Sequence, residues 1–321
     1  MWKTVCAASA LVAMLSPAAA QFYSDVTLDA KNPKALENLQ YTVSDQLLAA
    51  ASPSIREKLS DVRVTTPRRS PKDPQYPMNF YSDASKRQIV VPLQGFKFFS
   101  DLTILWAWFD QRTGCDEDKA ALAAYLATVM VGRPEARSLG GPLEAFGLQE
   151  ASVLRDSVVN TVSLNNFNSG MNFVLAHELG HIFYGDGLPG GLANSIAREE
   201  RADRFALDLL ASAHIAPVGL IQFFGATRFN DPTLSAASSG THPLSYARLT
   251  AIADRLKQNP EAFLPMPFPT NRDPATERAR MIRVADAIGK IGAALKDENF
   301  TYDASGLLAK YPASSFRTVC R

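Results

Sequence analysis

The chain has 321 residues, enough for one large domain or two modest ones. Hydrophobic residues make up 46% and charged residues 20%, the balance of a folded globular protein, which excludes disorder as the default. The 33 basic and 32 acidic side chains nearly cancel, which removes the electrostatic footprint of a nucleic-acid binder.

Residues 1–20 stand apart. Met1 and Lys3 give a short positive start, Val5 to Leu15 an apolar run, and Ala18-Ala19-Ala20 a small-residue cleavage signal ahead of Gln21. That order predicts a secretory signal peptide and an exported protein, periplasmic or secreted. The apolar run is too short to span a bilayer comfortably. Lys3 is the only charged side chain of the segment, so its loss leaves basic and acidic residues balanced at 32 each. Cys6 leaves with it. Cys115 and Cys320 remain, either bridged or as two independent thiols. Elsewhere, Phe98 to Phe109 is apolar but short and contains Asp101, which predicts a buried helix rather than a membrane span.

After the signal segment, residues 21–75 are expected to form an N-terminal helical region and a linker. Asn32 can cap, Pro33 suits a first helical position, and Pro53 divides the stretch. Residues 65–79 hold Pro67, Pro71, Pro74 and Pro77 and predict a linker or exposed loop with Arg68 and Arg69 solvated. Residues 76–258 are expected to form the main domain. A short strand is predicted at Gln88 to Val91, with helices near 99–110 and 116–131, the second capped by Asp116. Residues 158–164 are rich in β-branched side chains and predict a strand. As an exposed edge, that strand could pair with an extended peptide.

A helix is predicted from about Gly170 to Tyr184, ending at Gly185. A loop with Gly187, Pro189, Gly190 and Gly191 leads to a second helix, from Asn194 or Ser195 to about His214. His214, near that helix end, reads as a capping or surface histidine. Thr241 to Leu256 predicts a further capped helix. Residues 259–321 hold a proline-rich linker and an amphipathic helix over 275–296. The fold class expected is α+β, predominantly α-helical, with a small sheet.

Residues 177–181 read His-Glu-Leu-Gly-His. On a helix, positions four apart share a face, so two imidazoles can grip one metal ion. The intervening Glu178 is placed to act as general base on the metal's water. The surrounding helix is largely apolar, and a metal would compensate the cost of burying these polar groups. A catalytic zinc takes three protein ligands and keeps one position open. Glu199 and Asp203 lie downstream and share a helix face. Glu199 is assigned as third ligand, with Glu200 as rival. Asp203 is assigned the hydrogen bond to the free ring nitrogen of one histidine. The alternative is that these acids pair with Arg198, Arg201 and Arg204 on a solvated face.

His-Glu-Leu-Gly-His, followed by Glu-x-x-Ala-Asp at Glu199 to Asp203, resembles the gluzincin class of zinc peptidases. With Thr241-His242-Pro243 and Arg248 after it, the wording is similar to the HtpX-like and CAAX-prenyl-protease-like family. The resemblance covers roughly residues 168–250. It implies a zincin-like fold, Zn2+ held by His177, His181 and Glu199, and Glu178 as catalytic glutamate. It also implies that His242 faces the metal and stabilises the oxyanion, a role for which Tyr184 and Tyr246 are rivals. The chain departs from that family in lacking its transmembrane helices, in a short His181-to-Glu199 gap and in Leu244 after Pro243. The expected activity is hydrolysis of peptide or protein substrates outside the cytoplasm. The alternatives are an envelope chaperone or assembly factor, or a non-proteolytic zinc-binding protein.

Overall fold

The computed structural model describes residues 21–72, 74, 76–112, 116–130, 138–186, 192–229, 244–266, 272–296, 306 and 309–317. The predicted signal segment, all three cysteines and Thr241-His242-Pro243 lie outside the described residues.

The N-terminal region is helical, as its prolines predict, but Asn32 is not a cap: it lies in the first turn of its helix and its side chain accepts from the Thr66 hydroxyl at 2.6 Å. Ser24 accepts from the Thr27 amide and caps α1 (Asp25–Asp29), and Pro33 sits in the first turn of α2 (Asn32–Tyr41). The chain runs on through a π-helical turn, Thr42–Leu47, into the short α3 (Leu48–Ala50). Ser52 caps α4 (Pro53–Leu59), with Pro53 in its first turn.

Three short strands follow: β1 (Arg63–Thr65), β2 (Tyr81–Asp83) and β3 (Gln88–Val90). Their order is β1-β3-β2, with β1 parallel and β2 antiparallel to the central β3. The proline-rich stretch between β1 and β2 is not an exposed linker. Ser70, Met78, Asn79 and Phe80 are buried, and the amides of Leu93 and Gln94 donate to the carbonyls of Pro67 and Arg68. Nor are the two arginines merely solvated. Arg68 forks onto Asp29 at 2.7 and 2.6 Å, and Arg69 reaches Asp25 at 2.7 Å. These half-exposed pairs orient α1, a helix too short to stand alone, against the loop.

The next helix, α5 (Leu93–Asp110), is apolar on nearly every side, and Phe98, Phe99, Leu102, Ile104, Leu105 and Phe109 are buried. Asp101 is buried within it, as a charged group can be only when partnered. Lys97 pairs with it, and the Tyr23 hydroxyl donates to it at 2.8 Å. After α6 (Asp116–Met130) come two single-turn helices, α7 (Pro142–Ala145) and α8 (Glu150–Val153). An aromatic cluster joins these parts: Phe98 lies 6.3 Å from Tyr125, and Phe146 stacks on Phe316 at 5.3 Å.

The central element is α9 (Ser157–Tyr184), 28 residues long. Here the sequence expectation fails: residues 158–164 are helical, not a strand, and offer no edge for peptide pairing. Asp156 fixes the start by accepting from the amides of Val158 and Val159 at 2.9 and 3.2 Å. Buried positions Val159, Ser163, Asn166 and Gly170 follow a helical period, while Val158 and Leu164 face solvent. The tertiary environment therefore overrides β-propensity. Gly185 ends the helix with φ 72, a left-handed conformation that glycine adopts without strain.

Helix α9 packs against α5 on one side and α10 (Leu192–Ser212) on the other. Gly180 makes the second approach possible, because a Cβ there would stand 3.2 Å from both the Ala202 Cα and a Phe205 ring carbon. The remaining helices are α11 (Leu220–Thr227), α12 (Tyr246–Gln258) and α13 (Pro274–Lys296). His214, just past α10, is exposed and has φ 53, as suits a residue that ends a helix. No helix among the described residues is long and apolar enough to cross a membrane.

Gly180→Val should push α10 away from α9. The expected cost is about 1–3 kcal/mol, read as a lower midpoint in urea unfolding. An unchanged midpoint would mean that the contact is not tight.

Candidate metal centre

The last turns of α9 and the first turns of α10 face each other, and their polar side chains converge. His177 and His181 lie one turn apart on α9, with their Nε2 atoms 3.0 Å from each other. Glu199, on α10, closes the group: its Oε2 is 3.2 Å from His177 Nε2 and its Oε1 is 3.2 Å from His181 Nε2. All three are buried, and their ligand atoms lie within 4.8 Å of one another. Glu200, the rival for the third position, is only half-buried and stands outside this group.

The other ring nitrogens are also engaged. His177 Nδ1 is 3.0 Å from Asp203 Oδ1, and His181 Nδ1 is 3.2 Å from Asp186 Oδ2. A carboxylate can only accept, so Asp203 and Asp186 favour the tautomer of each neutral ring that carries its proton on Nδ1. Both Nε2 lone pairs then face each other across 3.0 Å. Two lone pairs so placed repel unless a cation lies between them. The donor set of two imidazole nitrogens and one carboxylate thus fits a divalent metal ion.

The surrounding carboxylates favour the charged form of both rings, so a metal ion must displace a proton to bind. Burial opposes a charge on His177, but hydrogen bonds to Asp203 and Glu199 outweigh it and raise its pKa to about 10. His181 is raised likewise, with Asp186 and Glu199 overcoming burial. Burial would push Asp203 up, yet the Arg248 guanidinium and His177 hold it below the usual carboxylate range. Arg248 itself is buried on α12. Its Nε and Nη2 donate to Asp203 at 2.8 and 2.9 Å, and its Nη1 is 3.1 Å from Glu199 Oε2. Opposing burial, these carboxylates raise its pKa.

Of the predicted residues, the fold brings His177, His181, Glu199 and Asp203 into one cluster and buries Glu178 beside it. His242 lies outside the described residues. Tyr184 and Tyr246 are both about two-fifths exposed, and Arg201 stacks over the Tyr184 ring at 4.4 Å. Glu199 and Asp203 do not lie on a solvated face but are buried. Arg201 instead pairs with Asp186.

Sequence reasoning missed the part played by three side chains. Asp186 is returned to His181 by the left-handed turn at Gly185, with its amide donating to the His181 carbonyl at 2.9 Å. The signal was present in the Tyr-Gly-Asp that ends the metal helix. Arg248 entered the sequence reading only as part of the family wording, without a role, because it reaches the cluster from a helix 45 residues after Asp203. Lys72 lies in the loop before β2, 3.8 Å over the Tyr81 ring. Burial lowers its pKa, and the charge of Glu178 acts in the opposite sense.

Comparison with known proteins assigns no family. No protein-family model, curated protein or solved structure matches the chain.

Two outcomes follow from this geometry. Asp203→Asn should weaken metal binding about 10–100-fold, measured by competition with a chelator. Metal uptake at neutral pH should also release protons. His177 keeps its proton up to about pH 10 and must lose it to ligate. Apparent affinity should therefore rise with pH below that value, and the calorimetric heat should vary with buffer ionisation enthalpy. A heat that is the same in every buffer would contradict the assignment.

Proposed function

We propose that the chain is an exported zinc-dependent peptidase of zincin-like fold, hydrolysing peptide bonds outside the cytoplasm. One observation carries this reading. Two imidazole Nε2 atoms one helical turn apart and one carboxylate converge within hydrogen-bond distance, with a second buried glutamate immediately after the first histidine. The resemblance of His177 to Asp203 to the gluzincin pattern supports it, and the predicted signal segment supports export.

His177, His181 and Glu199 would hold the metal, and Asp203, Asp186 and Arg248 would fix their orientation. A zinc ion bound there would supply Lewis acidity, polarising the scissile carbonyl and lowering the pKa of a coordinated water to about 7. Glu178 is the base: its carboxylate takes the proton of the attacking water and delivers it to the amine nitrogen as the C–N bond breaks. Asp203 and Asp186 keep the ring protons on Nδ1, which leaves both Nε2 atoms as donors to the metal. By the family resemblance, His242 would meet the developing oxyanion.

The test is a pair of variants in the purified full chain. Glu178→Gln should keep about one zinc per chain. It should lose cleavage of casein or a peptide library by about 10²–10⁴-fold. His181→Ala should lose both metal and cleavage. Equal cleavage by wild type and Glu178→Gln would overturn the assignment of the base. Zinc binding without any cleavage by the wild type would turn the reading toward a non-proteolytic protein.

A further inference from the structure

A second concavity opens on α9, away from the metal. Asn168, Met171, Asn172 and Leu175 line it, whereas His177 and His181 project about 150° around the helix axis from that group. Its volume is about 820 Å³, within the range of small-molecule sites. The opposite wall is the end of α2 and the π-helical turn, which contribute Asn38, Leu39, Tyr41, Thr42 and Gln46. A π-turn is rarer and less favourable than continued α-helix, and such turns recur at binding sites.

The chemistry of the lining is specific. Among the described residues, no Asp, Glu, Lys, Arg or His lines the groove, although charged residues make up 20% of the chain. Four residues with side-chain carboxamides line it, Asn38, Gln46, Asn168 and Asn172. Among the described residues none of the four hydrogen-bonds to another part of the protein, so their donors and acceptors are available. The floor is apolar: Leu39, Met171 and Leu175 are buried. The aromatic rings are Phe96, Phe167 and Tyr41, with Phe96 edge-on to Phe167 at 4.9 Å and Tyr41 56% exposed.

We propose that this groove binds an uncharged oligosaccharide. Neutral carboxamides that donate and accept satisfy ring hydroxyls and acetamido groups without a charge to desolvate. Exposed aromatic faces stack against the apolar C–H faces of sugar rings. A peptide main chain is also neutral, but its recognition draws on an open strand edge or an amphipathic cleft. The walls here are mostly helical, and none of the three strands contributes to them. The site would be separate from the metal cluster and does not rest on the peptidase reading.

The experiment titrates N,N′,N″-triacetylchitotriose and cellotriose into the full chain by calorimetry, with an uncharged alanine-glycine peptide as control. At least one sugar should bind saturably. Tyr41→Ala and Asn172→Leu should each weaken that binding about tenfold, with metal content and unfolding midpoint unchanged. Both variants alter residues that are not fully buried, so the fold should persist. Absence of saturable binding by both sugars, equal binding by both variants, or tighter binding of the peptide would each overturn the proposal. Loss of peptidase activity in Glu178→Gln would leave sugar binding intact, which keeps the two readings apart.

Discussion

The guanidinium of Arg248 lies between Glu199 and Asp203 in the interior, and the geometry around the two histidines depends on it. Buried carboxylates are costly without compensation, and removing one partner from such a set costs about 3–5 kcal/mol. Arg248 offers a planar fork, so one side chain holds Asp203 through two hydrogen bonds and reaches Glu199 with the third nitrogen. Asp203 then takes His177, and Glu199 faces both rings. A lysine could not replace this, because a single ammonium cannot satisfy both carboxylates in fixed directions.

This charge cluster needs a rigid frame, and α9 provides it. The helix is packed between α5 and α10, and at Gly180 the approach to α10 is so close that even a Cβ would force the neighbouring atoms to shift. Glu199 therefore reaches the histidines from the neighbouring helix without a long or mobile side chain. Locked rotamers in a packed interior are what hold a metal site to a fixed geometry.

The legible parts of the sequence were those set by local spacing. His177 and His181 at i and i+4 and Glu199 and Asp203 at the same interval express the helical period, and the helix end at Gly185 follows from its residue type. The strand expectation for 158–164 failed because Val158, Val159, Thr161 and Val162 were weighed by residue type. Burial at 159, 163, 166 and 170 carried the helical signal instead. The contacts of Arg248, and the charge of Lys72 near Glu178, were illegible for a different reason. Each side chain reaches the site from an element distant in sequence, and no local pattern encodes that approach. The groove beside the π-turn was likewise invisible, since it is assembled from α2, α5, α9 and α10.

The aromatic cluster has a consequence for biosynthesis. Phe22 meets Phe98 at 5.9 Å, Phe98 meets Tyr125 at 6.3 Å, and Tyr125 meets Phe316 at 6.2 Å. Two intervening rings thus connect positions near opposite ends of the polypeptide. Such non-local contacts form late and slow the search for the native state. The aromatic cluster is therefore complete only once residue 316 has been synthesised and has docked on Tyr125 and Phe146, so the part of the interior beneath these rings is among the last to be sealed.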